Sequence, residues 1–147
     1  MGLSGNAQDV RFDFEGSLRL ARELWAYADQ LEQAKGARRS EAMAALRTWR
    51  GPFGDHFRER VEDERTSLSS VIAALRTEAD QWASAWKQAM DEQNRRLYAR
   101  RVEQMKAERS AMEKLGDFFT GFDYPPPPPP VPKPGPAGFH ATGCLTG

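Results

Sequence analysis

The sequence has few of the features that point to a covalent framework, a membrane segment or a nucleic-acid surface. Its 147 residues include one cysteine, Cys144, so no disulfide can form within the chain. Apolar residues nowhere continue for the roughly 20 positions that a membrane-spanning helix needs. The formal net charge is zero. That balance argues against a general nucleic-acid binder, because such a protein needs a net basic surface.

Signals for export and catalysis are missing as well. The N-terminus, Met1–Asp9, lacks the basic-then-apolar order of a signal peptide. We therefore expect synthesis in the cytoplasm and, for any export, a route without a cleaved leader. The two histidines, His56 and His140, are far apart, and no metal-ligand spacing, phosphate loop or nucleophile elbow occurs. We predict a non-enzymatic protein with no catalytic residue, no metal site and no cofactor.

What the sequence does contain is helical periodicity with one sharp interruption, Trp49-Arg50-Gly51-Pro52. Apolar residues recur at spacings of three and four on both sides of it. Gly51 tolerates the left-handed backbone that ends a helix, and Pro52 suits the first turn of the next one. Because so short a link forces the second helix back onto the first, we predict an all-α antiparallel hairpin, with its bend at 49–52.

The hairpin is expected to cover residues 12–115, after a small, polar and flexible N-terminus at 1–11. Near Gly36 the first helix is predicted to kink or to divide into two collinear helices, since glycine weakens a helix by about 1 kcal/mol. No glycine or proline occurs from Asp55 to Leu115, so the second helix is predicted to be elongated.

Equal rise on both arms places residue n opposite about 102 − n. Residues 90–115 would then overhang the first helix with no intramolecular partner helix. Residues 116–147 are expected to form a disordered tail. Its six consecutive prolines, 125–130, are either a stiff spacer or a ligand for an aromatic groove.

The apolar stripes are candidates for a core shared with another chain. Only 39% of the residues are hydrophobic, and a long hairpin with so few apolar residues cannot easily enclose a core alone. We therefore expect dimerisation into a four-helix bundle. For Trp82 and Trp86 the alternative is a ligand-binding aromatic box. Trp49, Phe53 and Phe57 are expected to cluster at the bend. The predicted core and dimer interface consists of Leu24, Trp25, Leu31, Leu68, Leu75, Trp82 and Trp86.

Two arginine pairs make the overhang a possible partner-contact patch. They could contact an acidic partner or nucleic-acid phosphate. The simpler interpretation is a solvated helix face, because acids occur at nearby turns. The patch consists of Arg95, Arg96, Tyr98, Arg100 and Arg101.

The bend resembles that of a known family. Trp49-Arg50-Gly51 between two amphipathic helices, extended to Trp49-Arg50-Gly51-Pro52-(x)4-Phe57, is similar to the WXG family of small helical-hairpin proteins linked to type VII (ESX) secretion, particularly its actinobacterial members. The resemblance covers about residues 12–90. It implies a bundle of two hairpins, as homodimer or heterodimer, that is recognised by a secretion ATPase and secreted in folded form.

One part of the family's pattern is absent in its usual form. Family members carry Tyr-x-x-x-Asp/Glu after the second helix, whereas here the fourth residue after Tyr98 is Val102, with Glu103 one step beyond. The chain could be a secreted partner whose companion carries the signal, or an adaptor or chaperone of a co-encoded hairpin or toxin. Outside the family, the alternatives are a cytosolic structural or adaptor coiled coil and a weak nucleic-acid binder through the arginine pairs.

Overall fold

The computed structural model of the chain describes residues 5–114 and 123–136. Over these residues it contains two α-helices that pack against each other and no strand. Helix α1 spans Phe14–Leu46 and helix α2 spans Pro52–Lys114. Neither helix is both long and apolar enough to cross a membrane. The predicted all-α fold with an elongated second helix is confirmed for the described residues.

Helix α1 is a single helix of 33 residues. Of the two predicted alternatives, one helix across Gly36 is observed and a division into two collinear helices is not. The Ser40 hydroxyl, which could have capped a second helix, instead donates to the Gly36 carbonyl one turn back, at 3.2 Å. The cost of one internal glycine is about 1 kcal/mol, which the packing of a long amphipathic helix can exceed.

The link between the helices is the tight turn that the sequence predicts. The Trp49 N–H donates to the Ala45 carbonyl at 3.2 Å, which closes the last turn of α1. Gly51 then adopts a φ of +96°, in the left-handed region that a Cβ atom disfavours. The Asp55 N–H donates to the Gly51 carbonyl at 3.1 Å. Gly51 thus ends the link and accepts the first hydrogen bond of α2, and the start of α2 at Pro52 is confirmed.

Contacts among the described residues group into two compact units, and α2 contributes to both. The hairpin unit contains residues 15–84 and 134–136. The second unit, here called the strapped unit, contains residues 85–114 of α2 together with residues 5–14 and 123–133.

In the hairpin unit, α1 runs antiparallel to the first half of α2. As the number of the α1 residue rises, the number of its α2 partner falls, and in the three shortest contacts the two numbers of each pair add up to between 102 and 105. The predicted register is therefore confirmed in this unit. The three contacts between α1 and α2 that show this register are Arg38–Glu64 at 2.7 Å, Lys35–Ser69 at 3.4 Å and Asp29–Arg76 at 3.5 Å.

The seam between the two helices is built mainly from small residues. Among the described residues no large side chain is fully buried. Small residues allow two helices to approach closely, but they remove little apolar surface from water. The larger leucine and tryptophan side chains are consequently only partly covered. The buried residues are Ser17, Ala21, Ala28, Ala42, Gly54, Ile72, Ala79 and Ala83.

Candidate partner-binding surfaces

The bend presents aromatic side chains to solvent. The rings of Trp49 and Phe57 pack edge to face, with centroids 5.3 Å apart and an interplanar angle of 66°. Trp49 nevertheless remains 54% exposed. Phe53 is 86% exposed, so its predicted place in a three-ring cluster is wrong. Phe53 lies one turn before Phe57 in the first turn of α2, and only the Phe57 ring contacts the Trp49 ring.

Gly54 is a constrained position at the bend that the sequence analysis missed. It is buried in the first turn of α2, against the backbone of Trp49 in the link between the helices. A Cβ atom at this position would lie 2.8 Å from the Trp49 carbonyl oxygen, well inside van der Waals contact. The only signal in the sequence was a second glycine three residues after Gly51. A glycine is needed here because the first turn of α2 comes so close to the backbone of the link.

One flank of the hairpin unit carries a continuous row of apolar side chains, which we call the apolar flank. At 3.6 residues per turn, its members lie on the same side of the seam on their respective helices. The register places Leu31 level with Val71, and Leu20 level with Trp82. Of these residues, Tyr27 is 52% exposed and Val71 is 47% exposed. The apolar flank consists of Leu20, Leu24, Tyr27, Leu31, Leu68, Val71, Leu75 and Trp82.

On the opposite flank of the hairpin unit, ion pairs connect α1 and α2. Arg76 approaches Asp29 at 3.5 Å and Glu32 at 3.9 Å across the two helices. Arg76 lies about 140° around the axis of α2 from Val71, so these ion pairs leave the apolar flank uncovered. Exposed ion pairs contribute only about 0–1 kcal/mol each. They therefore mark the solvated side of the hairpin more than they stabilise it.

The seven predicted interface residues all have intermediate burial in the single chain. Five of them lie on the apolar flank, and Trp25 lies on the other side of the α1 seam. Trp86 belongs to the strapped unit. The Trp82 indole N–H donates to the Glu78 carboxylate at 3.2 Å, which holds its polar edge toward solvent.

The arginine patch is engaged inside the chain. Arg95 donates to the Asn6 side-chain oxygen at 3.0 Å, and Arg96 donates to the Gln8 carbonyl at 3.0 Å. Arg100 forms an ion pair with Asp9. Arg101 is exposed and has no ion pair within the described part of the chain.

These contacts bear on two predictions. Residues 1–11 were expected to be flexible; in the described part of this stretch, residues 6–10 lie along α2, where the Val10 N–H also donates to the Gln93 side chain at 2.7 Å. Residues 90–115 were expected to have no intramolecular partner helix; within the described residues, the non-helical residues 6–10 and the proline segment contact them. Polar, aperiodic residues gave no sign of this docking.

Glu92 organises the arginines electrostatically. Its carboxylate accepts hydrogen bonds from Arg95 at 2.8 Å and from Arg96 at 2.9 Å. These two guanidinium groups, Arg95 first, lower the pKa of Glu92 from 4.5 to about 2. The Arg100 side chain, by its hydrogen bond, likewise lowers the pKa of Asp9. Glu92 holds Arg95 and Arg96 on α2, and Asp9 is the group of the N-terminal segment that Arg100 reaches.

We expect the Glu92 carboxyl to titrate with a pKa of about 2. Because this pKa is lowered in the folded chain, the stabilisation by Glu92 is complete above pH 4.5 and is lost as the pH falls toward 2. NMR titration of the side-chain carboxyl carbon measures this directly. Glu92→Gln serves as the control that removes the transition. A midpoint near 4.5 would show that the two arginine contacts are absent in solution.

The proline segment also lies against α2. Residues 123–136 contain neither helix nor strand, in keeping with an extended run. The Tyr98 hydroxyl donates to the Pro125 carbonyl at 3.0 Å, and the Val131 N–H donates to an Asp91 oxygen at 2.8 Å. The disordered tail stays a prediction, to which these two contacts add a place where the proline run meets α2. The remainder of the predicted tail, including Cys144, lies outside the described residues.

A cleft of about 500 Å³ opens between α1 and α2 near the bend. Charged side chains of both signs rim it, among them Arg38, Arg58 and Glu62, and Phe57 and Leu68 line its interior. No group of three or more histidine, cysteine, aspartate or glutamate side chains among the described residues is arranged to hold a metal ion.

Comparison of the chain with family models, with curated proteins and with solved structures gives no match. The resemblance to the WXG family therefore rests on the bend and on its position between two helices. The properties that can be assigned from the structure are those of its surfaces: an apolar flank, an aromatic bend and an internally engaged arginine patch.

Proposed function

We propose that the chain is a non-enzymatic, WXG-like component of a type VII secretion system. It would act as a secreted partner, or as an adaptor or chaperone, of a co-encoded hairpin or toxin. The observation that carries this proposal is the uncovered apolar flank of a hairpin whose own seam buries mainly alanine. A second hairpin of similar shape could cover that flank and complete a four-helix bundle.

The geometry of the bend supports the same proposal. Gly51 has the left-handed backbone that a Trp-x-Gly turn requires, and the Trp49 ring packs on the Phe57 ring of the next helix. The remaining exposure of Trp49 and Phe53 would allow a secretion ATPase or a partner hairpin to contact the bend.

A cytosolic adaptor role is favoured by one specific observation. Tyr98, the nearest candidate for the tyrosine of the secretion signal, lacks an acid four residues later, and its hydroxyl donates to Pro125 within the chain. A chain with this arrangement could reach the secretion apparatus through a companion that carries the signal. Binding of nucleic acid is disfavoured, because three of the four patch arginines already contact groups of this chain.

Assembly is tested by light scattering on the purified full chain, alone and with the products of adjacent genes. We expect either a homodimer or a one-to-one complex with a second small hairpin. A folded chain that stays monomeric at micromolar concentration, and that binds none of the adjacent products, would contradict the proposal. Export is tested separately, by asking whether the chain reaches the medium only when the secretion ATPase is active.

A further inference from the structure

The docked proline segment differs chemically from any other stretch of the chain. Its six prolines have no backbone N–H, so their carbonyl oxygens are their only polar groups. Val131 is the first residue after the run that has an N–H group. A surface that binds such a segment must therefore donate to a proline carbonyl, and it can accept a backbone hydrogen bond only beyond the last proline.

Helix α2 offers this pair of groups. The hydroxyl of Tyr98 donates to the carbonyl of Pro125, the first proline, at 3.0 Å. At the other end, the carboxylate of Asp91 accepts from the Val131 N–H at 2.8 Å. Asp91 and Tyr98 are seven residues apart, about two helical turns, and so lie on one face of α2.

Between these two ends, the prolines lie opposite α2 across a cleft. Asn94 and Arg95, together with the two end residues, line a cleft of about 330 Å³ whose other wall is Pro127–Pro130. An adjoining cleft of about 450 Å³ lies between Tyr124 and the Tyr98–Lys106 stretch of α2. Prolines in an extended left-handed helix are already rigid, so little conformational entropy is lost when they dock.

Lys87 makes Asp91 a better hydrogen-bond acceptor for the Val131 N–H. Its ammonium group contacts the second oxygen of Asp91 at 2.6 Å, while the first oxygen accepts from Val131. The Lys87 contact, and next the Val131 N–H, lower the pKa of the Asp91 carboxyl, which favours the ionised acceptor. Hydrogen bonds to an ionised acceptor are roughly twice as strong as neutral ones.

We propose that residues 87–98 of α2 form a recognition site for a polyproline segment and that the chain's own Pro125–Val131 occupies it. Lys87 and Asp91 fix the end of the segment that follows the prolines, and Tyr98 fixes the end where they begin. The proline run is thus an intramolecular ligand. This proposal does not depend on the secretion role, since it concerns the strapped unit of one chain.

The Val131 amide is a specific NMR probe of whether the proline segment is docked on α2. It is the only backbone N–H between Pro125 and Pro132, so its NMR signal cannot be confused with that of a neighbour in the run. We expect this amide, in the ¹⁵N-labelled full chain, to exchange with water about tenfold more slowly than in a free peptide of the same sequence. Exchange at the rate of the free peptide would overturn the proposal. Protection that rises with chain concentration would also overturn it, because the ligand would then come from another copy.

Substitutions of Asp91 and Tyr98, each paired with a control elsewhere in the chain, test the hydrogen bonds at the two ends of the proline segment. Asp91→Asn is expected to remove most of the Val131 protection, whereas Asp63→Asn, at an exposed acid elsewhere on α2, is expected to leave it unchanged. Tyr98→Phe is expected to reduce the protection about fivefold, since one hydrogen bond is lost. Tyr27→Phe, in the hairpin unit, is the control for the loss of a phenol hydroxyl. Equal effects of a variant and its control would refute the assigned roles.

A last variant tests whether the proline conformation itself is recognised. Pro127→Gly combined with Pro129→Gly keeps both hydrogen-bonding ends but removes the rigidity between them. We expect Val131 protection to fall several-fold, because the flexible segment must lose more entropy to dock. Undiminished protection in this variant would show that the site recognises only its two ends, and the proposal would be wrong.

Discussion

Replacement of Gly54 by alanine is expected to destabilise the hairpin by about 1 to 2 kcal/mol, whereas the same replacement at Gly36 is expected to stabilise it. At Gly54 the new Cβ atom would lie 2.8 Å from the Trp49 carbonyl oxygen. Because that oxygen belongs to the backbone of the link, the link and the first turn of α2 must separate. Overpacking of this kind lowers the free energy of unfolding by about 1–3 kcal/mol, and the better helix propensity of alanine offsets part of that loss.

Gly36 is the matched control, since it is also a glycine within a helix, but a Cβ atom added there would have no neighbouring residue within 4 Å. Only the propensity gain of about 0.5–1 kcal/mol applies there. Urea unfolding followed by circular dichroism, at one fixed protein concentration, compares the two variants with the native chain. If both substitutions shift the midpoint in the same direction, the close approach at the bend is absent in solution.

Glutamate at Tyr27 and Val71 together is expected to abolish assembly through the apolar flank. Both side chains are about half exposed in the single chain, so the substitutions should leave the hairpin folded. In the proposed bundle each new carboxylate would be buried without a partner. A penalty of about 3 kcal/mol for each corresponds to more than a hundredfold loss of affinity.

The chain offers closely matched controls for this experiment. Ala26→Glu and Ala73→Glu introduce the same charges at exposed positions of the same two helices, about 100° around α1 from Tyr27 and about 160° around α2 from Val71. Sedimentation velocity should show the native complex for the control pair and free chains for the flank pair. Loss of assembly in both pairs would point to a general charge effect. Retention of assembly in both would place the interface elsewhere.

The bend and the register were predictable because they depend on local chemistry and on constant geometry. Gly51 and Pro52 have backbone preferences that act within one or two residues. Once they locate the turn, equal helical rise on both arms sets the partners of every later residue. This is why the Arg38–Glu64 contact falls where the register places it.

Features that depend on close packing or on the approach of distant segments could not be predicted in this way. The close approach of Gly54 to the Trp49 carbonyl depends on the path of the backbone through the link, which no residue spacing encodes. The docking of Asp9 and Val131 on α2 joins residues 91 and 40 positions apart. Neither segment has an apolar period, so pattern analysis assigned both to flexible chain. The contacts that hold them are single hydrogen bonds and ion pairs.

The alanine seam has a thermodynamic consequence. Proteins usually gain about 12–15 cal/mol/K of heat capacity per residue on unfolding, and apolar surface supplies the positive part of this change. A hairpin whose buried residues are chiefly alanine exposes little new apolar surface when it unfolds. Its folding free energy should vary only gently with temperature. If a partner covers the apolar flank, association would contribute the larger part of the heat-capacity change. The temperature dependence of the stability would then arise mainly from association and less from folding of the hairpin.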